Sequence, residues 1–116
     1  AAVHLREGSY LQDVDAAWVL EERERLERRV MDALHDLVEL FRLLGRSAEA
    51  LQACQRALQV DPCQESFHRL AMNLHAERGD RPAVIRQYQA CRESLRAELE
   101  VEPSPETEAL YKRLAG

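Results

Sequence analysis

Two glycines, Gly45 and Gly79, stand 34 residues apart, and the sequence around each follows the same helix–turn–helix pattern. Small or apolar residues recur at this period, with Ala50, Cys54 and Ala57 in the first unit and Val84, Tyr88 and Cys91 in the second. A period of this length is typical of solenoid repeats, in which each unit is a pair of antiparallel helices. Because one pair buries its apolar face only against its neighbours, the chain is predicted to fold as a stack of helix pairs.

Helix breakers divide the chain into five predicted helices, at about residues 15–44, 47–60, 62–78, 81–99 and 105–115. Four residues stand where a side chain can accept a hydrogen bond from a first-turn amide: Ser47, Asp61, Asp80 and Ser104. Pro62 and Pro105 each follow one of these caps and suit the first helical position. In the first helix an apolar stripe is predicted to face the core, formed by Leu26, Val30, Leu34, Leu37, Leu40, Phe41 and Leu44. Trp18 is expected to be a core or staple residue.

Composition narrows the class of function. The chain has 116 residues with 16 basic and 21 acidic side chains, and its net charge of −5 has the wrong sign for neutralising phosphates. Direct binding to nucleic acid is therefore not expected. No apolar stretch is long enough to span a bilayer, so the sequence predicts a cytoplasmic protein without membrane contact.

The residues that could carry chemistry favour a structural interpretation. The three cysteines, Cys54, Cys63 and Cys91, lack CxxC spacing and are expected to be reduced, buried thiols. His68 and His75 are two turns apart, but no histidine lies three or four residues from another histidine or from a cysteine, so no metal site is predicted. No phosphate loop or nucleophile motif is present, and neither an enzyme nor a cofactor is expected.

The repeat resembles the tetratricopeptide repeat (TPR). This resemblance implies an all-α fold, a TPR-like right-handed superhelix of antiparallel helix pairs with about five helices, the last being a half repeat that caps the stack. In TPR proteins the first helix of each pair lines a concave binding surface. The positions carried over from that pattern are Asp32, His35, Glu39, Arg42, Arg69, Asn73, Ala76, Glu108 and Lys112. An alternative is that these residues are only the solvated sides of helices.

Two further strings are similar to the bacterial transcriptional activator domain of SARP-type regulators. Trp18 leads into LEERERLERR, and LRAELEVEPSPETEALYKRL joins the fourth helix to the last. The resemblance covers nearly the whole chain, so residues 1–116 are expected to form one domain, a fragment of a longer regulator whose DNA-binding domain is absent. It implies a regulatory domain that contacts RNA polymerase, its own DNA-binding domain or a second copy of itself. The alternative is a free-standing TPR adaptor that binds a peptide or helix of a partner protein.

Overall fold

A computed structural model describes the backbone of residues 2–116 and the side chains of residues 15–116. The chain forms five helices: α1 (Ala2–Leu43), α2 (Ser47–Val60), α3 (Glu65–Glu77), α4 (Arg81–Leu99) and α5 (Pro105–Ala115). No strand occurs in residues 2–116. The prediction of an all-α protein with five helices is confirmed, and the arrangement is consistent with a TPR-like helical fold.

The chain divides into two compact units, residues 1–33 and residues 34–116. In the first unit the described side chains are mostly exposed, including Trp18 at 62%, Leu26 at 56% and Val30 at 49%. The predictions that Trp18 is a core or staple residue and that Leu26 and Val30 face the core are therefore wrong. Helical spacing places apolar side chains on one stripe, but a stripe is buried only where another element packs against it. Residues 15–33 do not provide such a partner for their own stripe.

The core of the second unit reproduces the 34-residue period in its burial. Four pairs of residues separated by 34 positions are all nearly inaccessible to solvent: Val38 and Met72, Ala50 and Val84, Cys54 and Tyr88, and Ala57 and Cys91. Small side chains at these positions let neighbouring helices approach closely, while Met72 and Tyr88 fill the larger space in the second repeat. The 34-residue period found in the sequence is thus also the period at which residues are buried in the core.

Helix α1 faces α3 through a different side from the one predicted. The His35 ring meets Phe67 edge-on, with centroids 6.0 Å apart, and Arg42 Nε donates to Glu77 Oε1 at 3.0 Å. Residues 35, 38 and 42 lie on one helix face, on which Val38 is fully buried while His35 and Arg42 remain exposed beside α3. Of the residues predicted to face the core here, Leu34 and Phe41 are half-buried, whereas the others are exposed, at 36% for Leu37, 50% for Leu40 and 59% for Leu44.

Two of the four predicted caps are confirmed. Asp80 accepts from the Ala83 amide and Ser104 accepts from the Thr107 amide. Ser47 is the first residue of α2 and not its cap, because Arg46 takes the cap position without a side-chain bond. Asp61 does not cap α3 either: its carboxylate accepts from the Cys63 amide at 3.1 Å, closing a turn, so α3 begins three residues later than expected.

Helix α5 packs against both α3 and α4. Leu110 joins a core cluster with Met72, Val84 and Tyr88, and Tyr111 stacks on Tyr88 with ring centroids 3.8 Å apart. The Tyr88 hydroxyl donates to the Glu108 carboxylate, and burial together with this bond raises the pKa of Tyr88 to about 12. The last helix therefore covers the end of the second repeat.

Candidate functional site

Helices α1, α3 and α5 line an open groove of about 450 Å³ within residues 34–116. One residue comes from α1, four come from α3 and four from α5: His35; Ser66, Arg69, Leu70 and Asn73; Glu106, Ala109, Leu110 and Arg113. Both sets of four have the spacing i, i+3, i+4 and i+7, which places each set on one face of its helix. The groove is therefore built on rigid helices, and its lining follows directly from helical periodicity.

Arg69 is held in place at the centre of this lining. Its Nη1 donates to Thr107 Oγ1 at 2.9 Å, and its Nη2 lies 3.7 Å from Glu106 Oε2. The Arg69 side chain is only 22% exposed, whereas that of Glu106 is 76% exposed. The guanidinium is thus held by the hydroxyl of buried Thr107 and by the exposed carboxylate of Glu106.

Beneath Arg69, Glu65 joins α3 to the start of α5. Its Oε1 accepts from the Ser104 amide at 2.8 Å and from the Thr107 hydroxyl at 2.8 Å. Burial by itself would raise the pKa of Glu65, but these hydrogen bonds and the nearby Arg69 outweigh it and lower the pKa below the ordinary value of 4.5. Thr107 is fully buried, so its hydroxyl needs an acceptor within the protein, and the charged carboxylate of Glu65 provides it.

Sequence reasoning missed Glu65 and Thr107. The Pro-Ser-Pro-Glu-Thr string contains the Ser104 cap and Thr107, and it is part of one of the two strings that carry the family resemblance. Nothing in the string indicates that its partner is a glutamate 42 residues earlier, since that contact depends on how α3 and α5 pack.

The structure brings together three of the predicted binding residues, His35, Arg69 and Asn73, in the groove. The other six predicted residues do not line the groove. Asp32 and Lys112 are exposed, and Glu39 is half-buried. Arg42 pairs with Glu77, Ala76 packs against the core cluster, and Glu108 accepts a hydrogen bond from Tyr88. Conversely, Ser66, Glu106 and Arg113 line the groove although the repeat pattern did not select them.

His68 has a packing role. It is 3% exposed, its Nε2 lies 2.8 Å from the Pro62 carbonyl oxygen, and Gln87 Nε2 lies 2.8 Å from its Nδ1. This pattern is satisfied by the neutral ring that donates from Nε2 and accepts at Nδ1. Burial lowers the pKa of His68, although the bond to Pro62 acts in the opposite direction.

Among the described residues, one group has ligand atoms close enough to surround a metal ion: Asp61, Cys63 and Glu98, within 4.8 Å of one another. The Cys63 thiol is already engaged, donating to Glu98 Oε2 at 3.2 Å and lying 3.4 Å from the Ser94 carbonyl oxygen. Burial and the Glu98 carboxylate raise the pKa of Cys63 to about 11, which keeps the thiol protonated. The group is a hydrogen-bonded link between the turn before α3 and the end of α4.

The other two cysteines, Cys54 and Cys91, are buried as expected, whereas Cys63 is only half-buried. Burial raises the pKa of Cys54 and of Cys91 to about 12. A thiol needs its thiolate form to act as a nucleophile, and these thiols stay protonated at neutral pH. Their contribution is to fill small spaces between helices.

Taken together, the fold and the groove define a helical-repeat protein whose helices present polar side chains along an open surface. A family comparison gives the particular family: the model of the bacterial transcriptional activator domain matches residues 1–115. The chain belongs to this family, whose members are regulatory domains of transcriptional activators and not enzymes. A search of the curated proteins and a search of the solved structures each returned no match. Within the described residues, none of the helices is long and apolar enough to cross a membrane.

Proposed function

We propose that this chain is the protein-interaction domain of a bacterial transcriptional regulator acting in the cytoplasm, and that the α1/α3/α5 groove binds an extended segment of a partner protein. The observation that carries the proposal is the lining of the groove, in which two regular helix faces present hydrogen-bonding side chains beside an apolar floor. The partner is RNA polymerase, the regulator's own DNA-binding domain or a second copy of the chain. We do not propose that this chain binds nucleic acid directly, because its net charge of −5 would repel the phosphates.

The dimensions of the groove support a polypeptide ligand. Its volume of about 450 Å³ lies within the usual range of ligand sites, roughly 300–1,000 Å³. It is open to solvent, so a chain can lie along it and place a few side chains inside. A mixed polar and apolar lining of this kind favours reversible binding with selectivity from complementary charges.

A blocking substitution tests the proposal. Ala109 is exposed and lines the groove, so Ala109→Trp fills the groove without entering the core. Ala90→Trp is the matched control, because Ala90 is an exposed helical alanine on α4 outside the lining. Both variants are introduced into the regulator that carries this chain, and transcription is measured from a responsive reporter after circular dichroism has verified folding.

The expected result is that Ala109→Trp reduces reporter output at least several-fold while Ala90→Trp leaves it unchanged. Equal output from both variants and the parent would contradict the groove as the regulatory site. Loss of a partner's binding to the Ala109→Trp variant without any change in transcription would instead favour the free-standing adaptor.

A further inference from the structure

The lining of the groove has an excess of hydrogen-bond donors and of positive charge. Arg69 and Arg113 contribute two cations against the single carboxylate of Glu106, so the lining is net positive on a chain whose net charge is −5. Arginine has five N–H donors and no acceptor, and the amide of Asn73 adds two further donors. The one carboxylate is already within 3.7 Å of Arg69.

Three hydrogen-bond donors in the lining are available to a ligand. Within residues 15–116, the side chains of Ser66, Asn73 and Arg113 make no hydrogen bond or ion pair to another side chain or to the backbone. Arg113 is exposed in the last turn of α5, and Asn73 is half-buried on the facing side of α3. The groove therefore presents unpaired donors on both of its walls.

We propose that the groove recognises an acidic residue, Asp or Glu, in an extended segment of the partner protein. This inference rests on the proposed function and specifies its ligand. Arg113 forms a charge-assisted pair with the carboxylate, in the two-bond geometry that a planar guanidinium favours. Asn73 donates to the same segment from the opposite wall. Leu70 and Leu110 supply an apolar floor for an adjacent aliphatic side chain.

The held position of Arg69 strengthens this assignment. Because Thr107 and Glu106 already engage Arg69 and the charged Glu65 lies nearby, the charge of Arg69 is balanced within the protein, and Arg113 is the cation of the lining that a ligand carboxylate meets. A basic segment would instead place its cations beside two arginines, and such like-charge contact disfavours binding.

The test uses the 116-residue chain and three decapeptides in which Leu alternates with Glu, with Gln or with Lys. Binding is followed by NMR, through the side-chain resonances of Arg69, Arg113 and Asn73, at low and at high salt. Arg113→Gln is compared with Lys112→Gln, which removes a neighbouring charge outside the groove lining from the same last turn.

The expected result is that the Glu peptide shifts the three groove resonances and binds at least about tenfold more tightly than the Gln peptide, with high salt weakening it. Arg113→Gln should abolish most of this difference, whereas Lys112→Gln should retain it. The inference is overturned if the Gln or Lys peptide binds as tightly as the Glu peptide, if both variants behave alike, or if no peptide shifts the groove. A fourth decapeptide, in which Leu alternates with phosphoserine, completes the test: its binding more tightly than the Glu peptide would overturn the carboxylate assignment in favour of a phosphorylated ligand. Equal binding of the Glu and Gln peptides in the groove would leave the proposed function standing, because that function fails only in the Ala109→Trp reporter comparison.

Discussion

Replacing Glu65 with alanine removes the acceptor that joins α3 to the segment leading into α5. Glu65 Oε1 receives two hydrogen bonds of 2.8 Å, from the Ser104 amide and from the Thr107 hydroxyl. Thr107 is fully buried, so its hydroxyl keeps only Arg69 and Ser104 as partners after the substitution. The change should therefore loosen the docking of α5 on α3.

The magnitude follows from those two bonds. A hydrogen bond to a charged group contributes about 1.5–3 kcal/mol. The two bonds share one acceptor atom and Glu65 is only half-buried, so water replaces part of the loss, and we expect Glu65→Ala to lower the free energy of unfolding by about 3 kcal/mol. For a unit of this size that corresponds to a fall in Tm of about 12–24 °C.

Urea and thermal unfolding followed by circular dichroism measure the effect. Glu65→Gln is the conservative variant, because its amide oxygen can still accept but carries no charge. Glu93→Gln is the matched control, since Glu93 is exposed on α4, and it should change stability by less than about 0.5 kcal/mol.

The pH dependence provides a sharper check. The folded-state pKa of Glu65 is lowered below 4.5, so the stabilisation by its charged form is fully present above pH 4.5 and is lost as pH falls through the folded-state value. The stability difference between the parent and Glu65→Gln should therefore shrink below pH 4.5. A difference that stays constant down to pH 3, or a cost of Glu65→Ala no larger than that of Glu93→Gln, would refute the reasoning.

Three other substitutions or conditions have definite expected outcomes. Ala57 is fully buried, so Ala57→Glu should lower the free energy of unfolding, measured in urea, by about 4 kcal/mol or more. Ala90 is exposed, so the control Ala90→Glu should lower it by less than about 0.5 kcal/mol. Similar urea midpoints for the two variants would show that the helix register is wrong. Glu100 adopts a left-handed conformation with φ 55° at the end of α4, so Glu100→Gly should raise the free energy of unfolding by about 0.5–1 kcal/mol, and a lowered Tm would contradict this. Burial lowers the pKa of His68, so its neutral form stabilises the fold above pH 6.5, and this contribution is lost as pH falls through the folded-state pKa. The urea midpoint of the parent should therefore fall between pH 7.5 and pH 5, and it should fall less steeply in His68→Gln. An equal slope in the two proteins would exclude His68 as a cause.

Periodic features were predictable because they depend on local chain geometry. The 34-residue spacing identified Ala50 with Val84 and Ala57 with Cys91, and all four are buried. The bounds of α2, α4 and α5 followed from turn residues and helix propensity, which act over a few neighbouring positions. The start of α3 was misplaced because the Asp61 carboxylate forms a turn with Cys63 in competition with the helix.

The binding surface was predictable only in part. Helical spacing and the repeat pattern selected His35, Arg69 and Asn73, which do line the groove. Arg113 and Glu106 were missed because α5 is a half repeat, and its rotation against α3 is decided by the packing of Leu110 into the core cluster. The same rotation turns Glu108 toward Tyr88 and away from the groove.

The sequence by itself determined the helical class, the repeat period, the small core residues and the resemblance to the activator-domain family, because each is written in residue types at fixed spacing. The tertiary structure alone decided which helix faces meet. It directed His35 and Arg42 of α1 toward α3, left Leu40 and Leu44 exposed, and joined Glu65 to Thr107 across 42 residues. Spacing along a helix defines its faces, but which face is buried depends on the neighbour that packs against it.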